Sequence, residues 1–278
     1  MNGDRETHIA LLIDADNSPA GKIDVILAEL AKFGVANIRR AYGNWKKNEL
    51  KGWEAVLHEY AIRPIQQFDH SKGKNATDMV MAIDALDLLY TDRPDCFGLV
   101  SSDADFTPLV LHLRAKGATV LGFGAKKTPL PFVNACSRFL YLENLGEPAV
   151  AAPAEGKAEA KPRRGRRTKA AEAGEGAEAP SGPQPTSVLK QDARLVSLLR
   201  NAVEAAAGED GWSTLGSVGK QIANQASFDP RNFGYRKLGD LIEATQLFDI
   251  ERRGTMVVVR DKRNAQAGSA GRKPSTDR

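Results

Sequence analysis

The chemistry this sequence can offer lies in two short acidic runs. Asp14 and Asp16 stand in Ile13-Asp14-Ala15-Asp16-Asn17, directly after an apolar run over residues 8–13, and Asp103 and Asp105 stand in Ser101-Ser102-Asp103-Ala104-Asp105-Phe106 after another. Carboxylates gathered at that density suit hard divalent cations, which take oxygen ligands; Mg2+ binds one or two carboxylates directly and keeps waters and substrate phosphate oxygens. An ion held this way orients an attacking water, lowers its pKa and stabilises charge on phosphorus. Taken singly, each of these Asp residues serves as well for a helix cap or a turn. Two such runs ending strands of one sheet favour a site.

Asp78 supplies a fifth carboxylate. On a helix expected after Asn75, positions 78, 82, 85 and 89 read Asp, Ala, Ala, Leu, beside a second apolar stripe of Met79, Ile83, Leu86 and Tyr90. Asp78 is therefore expected at the start of the buried face, with Asp84 and Asp87 toward the polar face beside Thr77 and Thr91. Its competing role is a capping box with Asn75, which leaves room for a second role at a metal. His8, His58, His70 and His112 have no metal-ligand spacing and are expected to be ordinary core or surface residues.

Elements that could hold these residues alternate between strand and helix. Strands are expected over residues 8–13, 35–42, 62–68, 96–101 and 119–123. Helices are expected after Ser18-Pro19, around Leu50, Trp53, Val56 and Leu57, from Asn75 to about residue 90, and over 106–116. Such alternation predicts an α/β domain, a mostly parallel sheet with helices on both faces and its sites beyond the carboxyl ends of the strands. Farther on, three helical faces (Leu195, Leu198, Leu199, Ala202 and Ala206; Leu215, Val218 and Ile222; Tyr235, Leu238, Leu241 and Ile242) precede two strands, 247–250 and 256–259, about a turn at Arg252-Arg253-Gly254. That order predicts a small winged-helix (helix-turn-helix) domain.

The boundaries expected are 1–147 for the α/β domain, 148–187 for a disordered basic linker, 188–263 for the winged helix and 264–278 for a disordered tail. The linker is Ala, Gly, Pro, Glu and Lys without an aromatic residue, a composition that cannot offset ordering entropy. Arg163, Arg164, Arg166, Arg167 and Lys169 cluster within it. Residues 1–147 hold 17 Lys and Arg against 19 Asp and Glu, whereas each later segment has a small basic excess, so the net charge of +4 and pI near 9.0 arise outside the first domain. Two cysteines in 278 residues give no disulfide framework. The polar N-terminus and the lack of a long apolar stretch point to a cytoplasmic protein with no membrane partner.

Three motifs in this order, strand-terminal Asp14 with Asn17, Asn75-Ala76-Thr77-Asp78 opening a helix, and Ser101-Ser102-Asp103-Ala104-Asp105-Phe106, resemble the NYN domain (LabA/DUF88-like) of the PIN-like nuclease superfamily over about residues 7–145. The resemblance implies a PIN-like, Rossmann-like sheet and a ribonuclease dependent on Mg2+ or Mn2+. Position by position, Asp14, Asp78 and Asp103 match the family's core acidic set, Asp105 a fourth, and Asn17 a polar residue near the scissile phosphate. Asp16 has no firm counterpart. The stretch Phe228-Asp229-Pro230-Arg231-Asn232-Phe233-Gly234-Tyr235-Arg236-Lys237-Leu238 resembles the OST-HTH/LOTUS domain, which implies RNA binding or docking of a protein partner. Phosphate contacts are expected from Arg236 and Lys237, from Arg252 and Arg253 at the wing tip, and, near the acidic cluster, from Lys72, Lys74, Lys126 and Lys127. Two other readings are a non-catalytic RNA-binding scaffold with a vestigial acidic pocket and a haloacid dehalogenase-like phosphohydrolase. The latter is suggested by Asp14-Ala15-Asp16 but meets Ser18 where that family has Thr or Val.

Overall fold

The structure, a computed structural model, describes residues 6–68, 76–145, 182–208 and 210–264. The N-terminal part is a six-stranded, wholly parallel sheet of β1 (His8–Asp14), β2 (Val35–Gly43), β3 (Arg63–Gln66), β4 (Cys96–Val100), β5 (Thr119–Gly124) and β6 (Arg138–Tyr141). Its helices are α1 (Ile23–Leu30), α2 (Trp53–Glu59), α3 (Ala76–Thr91), α4 (Thr107–Ala115) and α5 (Leu130–Ala135). The strand order is β3-β2-β1-β4-β5-β6. The chain builds outward from β1 to β3, then crosses back to lay β4 on the other side of β1, so the topological switch lies between β1 and β4. Open α/β sheets bind their ligands outside the carboxyl ends at such a point.

Burial on both faces explains why the central strands are nearly unbroken apolar runs. Ile9, Leu11 and Ile13 of β1 pack with Ile26 and Leu30 of α1 and Trp53 of α2. Ala10 and Leu12 face the other way, with Met81 and Leu88 of α3, Val110 of α4 and Phe132 of α5. The two-residue period of a strand sends Asp14 after Ala10 and Leu12, toward the α3 layer.

The structure departs from the sequence reading in several places. A sixth strand, β6, and helix α5 extend the sheet beyond the five strands expected. Ser18 does not cap a helix: its hydroxyl donates to the Val100 carbonyl, and Pro19 leads into the short turn Ala20–Lys22 before α1. The buried face of α3 is Thr77, Met81, Ala85, Leu88 and Leu89, while Met79, Ile83 and Tyr90 are exposed. Asp84 does not lie on a polar face. It accepts hydrogen bonds from the Arg40 guanidinium and the hydroxyl of fully buried Tyr42, both on β2.

The C-terminal part comprises α6 (Thr186–Gln191), α7 (Ala193–Ala205), β7 (Ser213–Thr214), α8 (Leu215–Gln225), α9 (Leu238–Thr245), β8 (Phe248–Arg253) and β9 (Met256–Asp261). The three strands are antiparallel in the order β7-β9-β8. Asp192 caps α7 and Thr214 caps α8, each accepting a backbone N–H one turn on. The wing turns at Gly254, whose φ of 62° suits glycine. Arg252 and Arg253 belong to β8 and pair with Val257 and Met256, a correction to the turn expected there.

The two parts are clasped together. Arg231 forms a two-pronged ion pair with Glu29 of α1, Nη1 to Oε2 at 2.6 Å and Nη2 to Oε1 at 2.7 Å, while also holding Asp229. Next to it, Asn232 donates from Nδ2 to the Phe139 carbonyl at 2.9 Å and accepts from the Tyr141 N–H at 3.2 Å, occupying the outer edge of β6. Asp229, Arg231 and Asn232 of the expected winged-helix motif are thus committed to the sheet domain. The basic linker cluster and most of the tail lie outside the described residues.

Candidate active site

Register places the first two acidic elements side by side: Ile13 of β1 is opposite Val100 of β4, so Asp14 and Ser101 leave the sheet as neighbours. Asp14 is fully buried. It accepts from Asn17 Nδ2 at 3.0 and 3.3 Å and from the Ser101 hydroxyl at 3.1 Å. Burial pushes its carboxyl above the ordinary value, against the lowering effect of those donors. The Ser101 oxygen in turn accepts the Asp103 N–H at 3.1 Å, so one hydroxyl ties the end of β1 to the start of the second acidic run. Asp103 caps the turn Ala104–Phe106 by accepting the Asp105 N–H at 2.8 Å. The capping role is therefore real for one of its oxygens.

Asp78 completes the arrangement from the first turn of α3. Its pKa is pushed up to about 6, by burial first and then by the negative charges of Asp14, Asp103, Asp105 and Asp16. All four carboxylates at the ends of β1 and β4 thus act on the one that α3 brings from the opposite layer. Asp16, whose role the sequence leaves open, is a tie. It accepts from the Thr77 hydroxyl at 3.0 Å and pairs with Lys47 at 3.2 Å, joining the end of β1 to the start of α3 and to the loop after β2. On the far side, Ser102 accepts the Ala125 N–H at 2.8 Å. Gly124 is required there, because a Cβ would lie 2.6 Å from the Ser101 carbonyl oxygen. Sequence reasoning assigned no role to Thr77, Lys47, Ser101 or Ser102. The serines were visible in the second acidic motif and Thr77 in the motif that opens α3, but Lys47 had no local signal.

Among the described residues, no three His, Cys, Asp or Glu side chains are grouped closely enough to hold one metal ion between them. The donor set is nonetheless all oxygen, and the pKa of Asp78 is raised to about 6 by burial first and then by the negative charges beside it. That suits a hydrated Mg2+ or Mn2+ needing one or two direct carboxylates, and not zinc with its N and S ligands.

The expected cationic residues fare differently from one another. Lys72 and Lys74, with the predicted cap Asn75 and with His70, lie outside the described residues. Lys126 is half-buried with its N–H on the Glu143 carboxylate, and Lys127 is exposed. Arg236 and Lys237 are exposed beside the clasp, in a recess they share with Glu29 and Arg138. Arg252 is exposed. Arg253, also exposed, pairs with Asp210 at 2.9 Å and Glu251 at 3.3 Å and lies over the Trp212 ring.

Comparison with known families bears on the two parts separately. Residues 8–143 match the family model of the NYN domain and residues 187–260 that of the OST-HTH/LOTUS domain. The chain is an NYN domain joined to an OST-HTH/LOTUS domain. The NYN domain places the first part in the PIN-like nuclease group, and the OST-HTH/LOTUS domain is of an RNA-binding type. An uncharacterized protein of Methanocaldococcus jannaschii is 32% identical over 125 residues, 44% of this chain and 49% of that protein. The chain therefore spans about half the length of that curated relative. Among solved structures, a protein of unknown function from Vibrio parahaemolyticus aligns with 51% of this chain and 96% of its own at 18% identity and a TM-score of 0.42. An uncharacterized protein from Nitrosomonas europaea aligns with 35% and 92% at 30% identity and a TM-score of 0.25. Among the described residues of this NYN and OST-HTH/LOTUS chain, no helix is long and apolar enough to cross a membrane.

Proposed function

We propose that the protein is a ribonuclease dependent on Mg2+ or Mn2+ that hydrolyses RNA phosphodiesters at the carboxyl ends of β1 and β4. The observation that carries this reading is that Asp14, Asp78, Asp103 and Asp105 stand together at the switch point, where burial first and then the neighbouring carboxylates lift Asp78 to about 6. Asp14, Asp78, Asp103 and Asp105 would hold the cation, which supplies charge stabilisation at the phosphorus when bound. The chain's own part is orientation and proton handling. Asn17 and Ser101 fix the Asp14 carboxylate, and Asn17 would be the polar residue that meets a phosphate oxygen. Asp78 must give up its proton for the cation to be held, so cation uptake releases a proton and strengthens as pH rises through about 6. The OST-HTH/LOTUS domain supports RNA as the polymer, with a protein partner as its other possible ligand. Buried, free Cys96 and Cys136 accord with a cytoplasmic setting.

Purified protein is expected to cleave generic single-stranded or structured RNA with Mg2+ or Mn2+ and to stop in EDTA. Asp14→Asn and Asp103→Asn should each reduce turnover by at least about a hundredfold while keeping the fold; full activity in both variants overturns the reading. A second reading, RNA binding without catalysis, is favoured by the lack of a close three-carboxylate group among the described residues. It predicts RNA binding that is indifferent to Mg2+ and no cleavage under any condition.

A further inference from the structure

The clasp leaves a cleft of about 690 Å³ between the two domains, within the size range of small-molecule sites. Lys126, Tyr141 and Asn144 line it from the NYN side, and Arg194, Ser227 and Phe228 from the other. Asn144 and Ser227 each keep a buried side-chain polar atom, Asn144 Nδ2 and Ser227 Oγ, without a hydrogen-bond partner among the described residues. Both atoms lie beneath the cleft's surface, so a ligand is met by the groups that face the cleft. Tyr141 and Phe228 offer aromatic surface to a flat ring, and Lys126 and Arg194 offer positive charge to a phosphate.

The cleft also lies within one loop of the acidic cluster. Lys126 follows Ala125, whose N–H is held by Ser102, the residue before Asp103. We propose that this cleft takes one unstacked nucleotide of a single-stranded RNA whose chain runs on, past Lys126, to the phosphodiester at Asp14 and Asp103. The proposal rests on the ribonuclease reading for the nature of the polymer only. A paired and stacked base cannot enter a cavity between two domains, so the cleft selects single strands or loops over duplex, as base-stacking RNA sites generally do. It also gives the clasp a purpose, because neither domain forms the cavity alone.

The test uses the full chain in EDTA, so that binding is read without cleavage. A single-stranded oligoribonucleotide carrying 4-thiouridine is expected to crosslink to residues lining the cleft, and adenosine or uridine monophosphate is expected to show saturation-transfer NMR signals. Arg194→Glu, a change at an exposed position, should weaken single-strand binding about tenfold and flatten the dependence of log affinity on log salt by roughly 0.7, with duplex binding unchanged. Crosslinks confined to other surfaces, or unchanged single-strand affinity in Arg194→Glu, overturn the proposal. Crosslinking at the cleft in a protein that never cleaves RNA with Mg2+ or Mn2+ would sustain the cleft and remove the nuclease reading. Cleavage with no crosslink at the cleft would do the reverse.

Discussion

Asp78 is where the charge of the whole cluster is felt. With its pKa near 6, it binds a proton in the folded state over an interval in which the unfolded chain has already released it. The folded state therefore loses stability as pH rises through that interval, and the loss is complete above about pH 7. In EDTA, Asp78→Asn is expected to melt higher than the parent at about pH 7.5 and at nearly the same temperature near pH 3, where the Asp78 carboxyl of the parent is mostly protonated in the folded and the unfolded state alike. Mg2+ should raise the Tm of the parent and leave the variant almost unmoved. Equal melting in EDTA at both pH values would show that the carboxylates do not repel one another. Asp84, on the same helix, behaves differently. It answers the Arg40 guanidinium and the buried Tyr42 hydroxyl, whose own pKa is raised by burial and then by Asp84. Asp84→Asn should cost about 1–3 kcal/mol in urea unfolding. Asp87→Asn, at an exposed position, should stay within about 0.5 kcal/mol.

At the scale of elements, the wing separates two arginines that look alike in sequence. Arg253 and Arg260 lie over the Trp212 ring at 4.8 and 4.5 Å, and Arg253 is also paired to Asp210 and Glu251. Arg253→Ala is expected to lower the Tm of the C-terminal domain. Arg252→Ala should leave the Tm alone and, if this residue meets phosphate, flatten the salt dependence of RNA binding by roughly 0.7; the reverse pattern would exchange their roles. The sequence made the central strands β1, β4 and β5 legible because burial on both faces demands unbroken apolar runs. It did not reveal β6, where Phe139 and Leu140 stand between Arg138 and Tyr141, nor α5, six residues with Pro131 near its start and too short to show a period. Helix α3 carries Met79, Val80, Met81, Ala82, Ile83, Ala85, Leu86, Leu88 and Leu89, apolar nearly all round, so periodicity alone could not choose its buried face. The acidic motifs were legible as motifs. What joins them, Ser101 to Asp14 and Thr77 to Asp16, depends on strand order and could be seen only in the fold.

For the whole molecule, the clasp decides whether the two domains work as one. Glu29 is buried, and although burial alone would raise its pKa, the bonds from Arg231 and Lys32 hold it below the usual carboxylate range. A lowered carboxyl contributes stability above its ordinary titration and loses it as pH falls through the depressed value. Docking is therefore expected to hold at neutral pH and to fail in acid. Small-angle scattering should show a larger radius of gyration in acid, well below the ordinary carboxylate range, and at neutral pH in the double variant Arg231→Ala, Asn232→Ala; an unchanged radius in that variant would mean that other contacts hold the domains together. Opening has a further cost at the rim of the sheet. Asn232 does for β6 what another strand would do, covering the Phe139 carbonyl and the Tyr141 amide. The opposite rim, β3, begins with charged Arg63 and Pro64, and proline offers no amide to a newcomer. Once Asn232 withdraws, β6 becomes the vulnerable margin, and copies of the protein, or fragments ending near residue 147, will add to one another there. The first visible sign of a broken clasp will then be turbidity that grows with concentration, while the helical signal is still intact.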